Sequence, residues 1–202
     1  MSGELMNPQN ILVELDSYLH KNDYTSAREY LTKALERAEA LGDNRARVLI
    51  LNEQMGLYRK IGDRENALES VNKALREIEA MGVAEQVGSA TTYLNCATVY
   101  KAFGDPVSAL SLYRRAQGIY EKALSSIDSR LGGLYNNMAL SLVDLRRFEE
   151  ADIYYKKANY INQILADREL YDLLKSNSEN VIIMDKHNGH GRHFASQANI
   201  LG

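Results

Sequence analysis

Two asparagines, Asn95 and Asn137, have the residue type and spacing that best suit a chemical role in this sequence. They lie 42 residues apart. A side-chain amide can donate a hydrogen bond to a backbone carbonyl while it accepts one from a backbone N–H. A series of such amides can hold an extended peptide by its main chain, leaving nearby pockets to recognise its side chains. The pattern therefore favours peptide binding; the alternative interpretation is that asparagine simply tolerates a solvated helix face.

Three of the four histidines form a second candidate cluster near the end of the chain, at His187, His190 and His193. Imidazoles are good ligands for zinc and nickel, and a spacing of three can place them on one side of a helix. However, Gly189 and Gly191 interrupt any helix there, and no cluster of carboxylates or cysteines accompanies the histidines. We therefore expect no metal site, and no motif implies a cofactor.

The sequence has none of the patterns that usually mark an enzyme. It contains no glycine-rich phosphate loop, no nucleophile elbow and no zinc-protease helix motif. His20 is the only histidine before the terminal cluster, and it is expected to end a helix beside an exposed turn. The single cysteine, Cys96, adjoins Ala97 and is expected to be a small buried apolar residue rather than a reactive thiol. These features predict a binding protein without enzymatic activity.

Composition narrows the class of partner and the compartment. The 202 residues are 45% hydrophobic and 25% charged, with a net charge of −3, so a basic surface for nucleic acid is not expected. The sequence contains no run of about 18 apolar residues, so no membrane-spanning helix is expected. The first ten residues lack the pattern of a secretory signal. A single cysteine cannot form an internal disulfide, which favours the reducing cytoplasm.

The elements that would position the asparagines repeat along the chain. Four alanines recur at intervals of 40, 42 and 42 residues: Ala27, Ala67, Ala109 and Ala151. A second set follows seven residues after each: Ala34, Ala74, Ala116 and Ala158. Such a period is typical of stacked supersecondary units. Helical periodicity and the proline and glycine signals at helix ends predict helices over residues 8–21, 24–41, 44–61, 64–81, 84–103, 106–124, 128–145 and 148–165.

The repeated residues resemble the tetratricopeptide repeat. The third unit carries the pattern best, with Tyr93, Ala97, Tyr100, Gly104, Ala109, Tyr113 and Ala116. The fourth follows with Tyr135, Ala139, Leu142, Ala151, Tyr155 and Ala158. The first two units depart from it, since Leu15 and Met55 stand where a small residue is usual, and the chain lacks tryptophan and the closing prolines. The period of about 42 resembles the long repeats of kinesin light chains, LGN-type scaffolds and bacterial peptide-pheromone sensors.

This resemblance implies an all-α fold, a right-handed superhelical solenoid of four helix hairpins with a short C-terminal capping helix. We expect a repeat domain over residues 1–175 and a flexible tail over 176–202. The four repeats are placed at 8–41, 44–81, 84–124 and 128–165, followed by the capping helix at 167–175. A cap is needed because each unit of a solenoid buries its face only against its neighbours.

In the family that the chain resembles, the first helix of each hairpin lines a concave groove. The partner-binding residues implied by the resemblance are Asn52, Glu53, Arg59, Lys60, Leu94, Asn95, Thr98, Lys101, Asn136, Asn137, Leu140 and Asp144, of which Lys60 and Asp144 lie just beside the stripe that the rule selects. The rule also selects Leu12, Val13, Asp16, Leu19, Gly56 and Val143. Similar asparagines bind a peptide main chain in kinesin light chains, which supports that role for Asn95 and Asn137. Three of the cations, Arg59, Lys60 and Lys101, could form a positive zone facing acidic partner residues, or simply a solvated surface.

The resemblance predicts a non-enzymatic scaffold that binds a protein or peptide. The composition of the chain adds the expectation that neither nucleic acid nor a membrane is its partner. Two alternatives remain open at this point. One is a regulatory sensor that responds to a peptide signal, and the other is a structural module that self-assembles, for instance as a homodimer through the open ends of the stack.

Overall fold

A computed structural model describes residues 5–187, with side chains for all of these except 170, 171 and 173–187. The described residues form eight helices and no strand. The helices are α1 (Pro8–His20), α2 (Tyr24–Leu41), α3 (Asn44–Ile61), α4 (Arg64–Ala80), α5 (Val87–Ala102), α6 (Pro106–Ala123), α7 (Ser129–Asp144) and α8 (Phe148–His187). For α1 to α7 these bounds agree with the sequence-based prediction to within three residues.

Side-chain caps explain where most of these helices begin. An aspartate precedes α2, α3, α4, α6 and α7, and its carboxylate accepts a hydrogen bond from a backbone N–H of the first turn. Asn7 caps α1 in the same way, and a proline follows the cap in both α1 and α6. Each cap satisfies an N–H that has no partner within the helix.

The turn between the two helices of each hairpin has the same backbone conformation in all four units. The residue in the left-handed region is Asn22, Gly62, Gly104 or Arg146, with φ of 55°, 74°, 84° and 58°. Glycine adopts this conformation without steric cost, and asparagine tolerates it. The repeat in the sequence is therefore a repeat in backbone geometry, even in the fourth unit, where Arg146 stands at the position that is glycine in the second and third units.

The helices pack as a stack of hairpins. Each hairpin contacts the next through its second helix, in the pairs α2 with α3, α4 with α5 and α6 with α7. The first helices also contact one another in order, α1 with α3, α3 with α5 and α5 with α7. The first helices thus form one continuous layer, and this arrangement confirms an all-α solenoid of helix hairpins.

Small residues let the two helices of a hairpin approach closely. Ala27, Ala67 and Ala109 are fully buried, and the larger Val71 and Tyr113 that follow two of them by four residues are fully buried too. Close packing of this kind makes each alanine sensitive to any increase in volume. The core therefore follows the period that the sequence shows.

The end of the chain differs from the prediction. We expected a helix ending at residue 165, a separate capping helix at 167–175 and a flexible tail from 176, but α8 continues without a break to His187. No glycine or proline occurs between Phe148 and His187, so nothing in the sequence interrupts the backbone hydrogen bonds. Residues up to Ile161 form one compact unit, and those from Asn162 belong to a second. The rest of the predicted tail, residues 188–202 with His190 and His193, lies outside the described residues.

Candidate functional site

The layer of first helices contains a cavity of about 230 Å³ between α3 and α5. The lining residues are Asn52, Glu53, Met55, Gly56, Arg59, Asn95, Thr98 and Val99. The structure thus brings together six of the residues selected from the sequence: Asn52, Glu53, Gly56 and Arg59 from α3, and Asn95 and Thr98 from α5. Because α3 and α5 are consecutive first helices, the cavity lies in the furrow between the second and third repeats.

Two side-chain amides meet on the wall of this cavity. Asn95 donates a hydrogen bond from Nδ2 to Oδ1 of Asn52, with 2.8 Å between the atoms. Asn52 in turn donates to the carbonyl of Val48 at 2.8 Å and to Oγ1 of Thr92 at 3.0 Å. Asn52 is therefore held by the protein itself, whereas Asn95 retains a carbonyl oxygen and one N–H for another molecule. The period of the repeat does not predict this pair, because the two asparagines are 43 residues apart, one more than the period of 42.

The hydroxyl of Thr98 links the cavity to the core. Its Oγ1 lies 2.9 Å from the carbonyl of Leu94 and 3.1 Å from the hydroxyl of Tyr113, which is fully buried. Burial raises the pKa of Tyr113, while the hydrogen bond to Thr98 and the positive charge of Arg59 act in the opposite direction. Thr98 is thus fixed in place and forms part of a rigid wall.

Charge is distributed unevenly along the α3 side of the cavity. Burial raises the pKa of the half-buried Glu53 carboxyl above its ordinary value, and the neighbouring carboxylate of Asp16 on α1 raises it further. Arg59 stands six residues further along α3 and is exposed. With a rise of 1.5 Å per residue, the two positions are separated by about 9 Å along the helix axis. One end of the cavity is therefore acidic and the other basic.

The other predicted cations do not join Arg59 in a positive zone. Nζ of Lys101 on α5 lies 3.3 Å from a carboxylate oxygen of Asp144 on α7, so both charges are compensated. Nζ of Lys60 lies 5.2 Å from the ring centroid of Tyr24, at the start of α2, and Lys60 is not among the residues that line the cavity. Arg59 is therefore the cation of this set that faces the furrow between α3 and α5.

The remaining predicted residues lie away from the cavity. Asn136 is exposed on α7, while Asn137 and Leu140 on the same helix and Leu94 on α5 are half-buried. None of them lines the cavity between α3 and α5. Asn95 and Asn137 thus belong to consecutive first helices but not to one cavity, and a joint role for the two amides stays a prediction.

The described residues do not suggest metal or thiol chemistry. They contain no group of three or more histidine, cysteine, aspartate and glutamate side chains placed to hold a metal ion. Burial raises the pKa of Cys96 to about 12, and its Sγ lies 3.6 Å from Sδ of Met55, so this thiol is a packing residue. Within residues 5–187, no helix has the length and apolar character needed to cross a membrane.

The repeated segments of the chain match known protein families. A family model described as "Tetratricopeptide repeat" matches residues 50–122, and a second with the same description matches residues 14–41 and 133–164. Together these segments cover more than half of the chain. No curated protein matches the sequence significantly.

Two solved structures resemble this chain, one much more closely than the other. The crystal structure of BtubC (BKLC) from P. vanneervenii superposes with a TM-score of 0.71 at 20% identity, over 96% of this chain and 85% of that chain. At that identity the likeness shows the fold alone. The crystal structure of MamA protein covers 79% of this chain and 94% of its own at 18% identity, but its TM-score of 0.31 is too low to indicate a shared arrangement.

Proposed function

The chain belongs to the tetratricopeptide repeat family, and from that membership we propose that it is a non-enzymatic scaffold whose layer of first helices holds an extended segment of another protein. Repeats of this family generally mediate interactions between proteins. A reducing compartment such as the cytoplasm suits the single, buried cysteine, Cys96.

The observation that carries this proposal is the cavity between α3 and α5. A bound main chain needs a partner for both its carbonyl and its N–H, and the amide of Asn95 has one acceptor and one donor still available beside the cavity. Asn52 and Thr98 hold the surrounding wall in a fixed geometry, which lowers the entropic cost of binding. These features favour an extended polypeptide segment over a compact small-molecule ligand.

The proposal can be tested with short linear peptides selected from a random displayed library on the immobilised full chain. We expect selected peptides, made synthetically with a fluorescent label, to slow amide hydrogen exchange in α3 and α5. Asn95→Ala should weaken their binding by about tenfold or more, which corresponds to two lost hydrogen bonds of roughly 1 kcal/mol each. Asn72→Ala, on the exposed surface of α4, is the matched control and should leave Kd unchanged.

Stability must be followed in parallel because Asn95 also supports Asn52. We expect Asn95→Ala to lower the free energy of unfolding by less than about 1 kcal/mol, so loss of binding cannot be ascribed to unfolding. If no peptide is selected, or if protection is confined to the second helices α2, α4 and α6, the proposed function is wrong.

A further inference from the structure

Gly56 occupies a position at which the fold itself does not require glycine. It lies in the interior of α3, where glycine is less favourable than alanine because of its backbone entropy. A Cβ added at this position would meet nothing within 4 Å, and its φ is not in the left-handed region. Neither close packing nor backbone geometry explains the residue. It does line the cavity between α3 and α5, half-buried, with its missing side chain adding to the open space.

Opposite charges flank this glycine on the same helix and in the same cavity. Glu53 precedes Gly56 by three residues and Arg59 follows it by three. Among the ion pairs of the described residues, none involves Glu53 or Arg59. Lys101 and Asp144, on the next first helices, compensate each other instead. The cavity therefore has an acidic end and a basic end that the protein does not neutralise from within.

We propose that Gly56 is the point of closest approach for the main chain of the bound segment, which places a basic side chain at Glu53 and an acidic side chain at Arg59. This inference rests on the proposed function and specifies the chemistry of the partner. Without a Cβ, α3 lets a second backbone come closer than any other residue would permit. Asn95 lines the same cavity from α5, on the wall opposite Gly56. From there its side-chain amide can form hydrogen bonds with the backbone of the bound segment.

The charges fix the composition of the segment. Glu53 is half-buried in the cavity and experiences the negative charge of Asp16, so a cation is favoured there and another carboxylate is not. The guanidinium of Arg59 can bind a carboxylate through two parallel hydrogen bonds. An extended chain advances about 3.3 Å per residue, so positions two or three residues apart span roughly 7–10 Å, which matches the distance of about 9 Å between Glu53 and Arg59 along α3. The partner therefore carries its basic and acidic residues two or three positions apart.

The first test separates binding from stability with two glycine variants. Gly56→Ala should raise Tm by about 2 °C, as should Gly118→Ala, since Gly118 lies within α6 and its added Cβ also meets nothing within 4 Å. For the peptides selected on the wild-type chain, Gly56→Ala should weaken binding by about tenfold or more. Gly118→Ala should leave Kd unchanged. Equal binding by both variants would overturn the inference.

The second test examines the charges with double-mutant cycles. The selected peptides should contain a lysine or arginine two or three positions from a glutamate or aspartate. Glu53→Gln should weaken binding by about three- to tenfold, and should lose this effect when the basic residue of the peptide is replaced by alanine. Arg59→Gln should behave in the same way toward the acidic residue, while Glu36→Gln, exposed on α2, serves as the control.

The outcomes distinguish this inference from the function on which it rests. Peptides that protect α3 and α5 and depend on Asn95, yet lack the charge pair or bind Gly56→Ala normally, would overturn the inference and leave the scaffold function standing. Strictly additive effects in both cycles would also overturn it. Peptides that protect first helices other than α3 and α5 would overturn the inference alone. Failure to select any peptide, or protection confined to the second helices α2, α4 and α6, would overturn both.

Discussion

At the scale of the single residue, Arg146 shows a local strain that the repeat tolerates. Its φ is 58°, whereas the equivalent residues of the second and third units are Gly62 and Gly104. For an L-residue with a Cβ, the left-handed conformation costs about 1–2 kcal/mol. We expect Arg146→Gly to raise the free energy of unfolding by up to about 1 kcal/mol, since the greater entropy of glycine in the unfolded chain offsets part of the relief. Chemical denaturation measures the change.

The matched control for Arg146→Gly is Arg114→Gly, on the exposed surface of α6. There the arginine has ordinary helical geometry, and its replacement should lower the free energy of unfolding by about 1 kcal/mol. Opposite signs for the two variants would show that backbone strain decides the effect. A loss of stability in both would mean that Arg146 is not strained.

Glu53 provides a pH-dependent prediction at the same scale. Burial, followed by the nearby charge of Asp16, raises the pKa of its carboxyl in the folded chain. A raised pKa means that the folded state favours the protonated form, so its contribution to stability is present below the unfolded value of about 4.3 and is lost as pH rises through the folded value. We therefore expect Glu53→Gln to be slightly more stable than wild type at pH 7, by up to about 0.5 kcal/mol.

This difference should vanish below about pH 3, where the glutamate is protonated in both states. Thermal unfolding of the two proteins across that pH range measures the effect, with Glu36→Gln on the exposed surface of α2 as the control. A Glu53→Gln variant that is less stable than wild type at pH 7 would show that the ionised carboxylate has a stabilising partner.

The rule implied by the family resemblance selected several side chains that line the furrow, together with others such as Leu94 that do not, and it did not predict how the side chains pair. Asn52, Glu53 and Asn95 were selected because the repeat fixes which positions of a first helix face inward. The hydrogen bond from Asn95 to Asn52 depends on the axial shift of α5 relative to α3, which the sequence period does not determine. The pairing of Lys101 with Asp144 depends on side-chain rotamers as well as on that shift.

At the scale of the helix, the aspartate caps should make the fold sensitive to acid. Hydrogen bonds from Ser108 lower the pKa of Asp105, the cap of α6, and the pKa values of the caps Asp23, Asp63 and Asp128 are lowered in the same way. A lowered pKa contributes stability above the unfolded value of about 3.9, and that contribution is lost as pH falls through the folded value. We expect Tm to fall progressively as the pH drops below about 4.

Asp105→Asn isolates one cap from this general effect. Asparagine is as good an N-cap as aspartate but does not titrate, so the variant should lose less Tm than wild type between pH 7 and pH 3. Asp152→Asn, on the exposed surface of α8, is not a cap and should follow the wild-type curve more closely. Identical pH dependence for wild type and Asp105→Asn would contradict the assignment.

The helix ends show why some of the fold could be predicted and some could not. The starts of α2, α3, α4 and α6 were predicted correctly because capping residues and glycines are local signals. The end of α8 was not, because the prediction relied on the expected length of a repeat helix. Where no glycine, proline or capping residue interrupts a helical segment, the local sequence does not determine where the helix ends.

At the scale of the whole molecule, the repeats within residues 8–161 should differ in local stability. In a linear stack each unit is stabilised by its own hairpin and by the interfaces with its neighbours, so an inner unit has two such interfaces and an end unit has one. The helices of the second and third units, α3 to α6, contain the fully buried Ile50, Leu51, Tyr93 and Tyr113, whereas α1 contributes only Ile11 and Leu15 to the core. We therefore expect backbone amides of α3 to α6 to exchange hydrogen most slowly and those of α1 to exchange faster.

Native-state hydrogen exchange in low concentrations of denaturant measures this gradient. The amides of α1 should show opening free energies below the global value, and those of α3 to α6 should approach it. Truncating Leu15 to alanine should lower protection in α1 and its hairpin partner α2 first, and then in α3, because the stack transmits the loss only through neighbouring interfaces. Equal protection in all units, with an equal response to the truncation, would show that the chain unfolds as one cooperative body and that the nearest-neighbour description fails for a stack of this length.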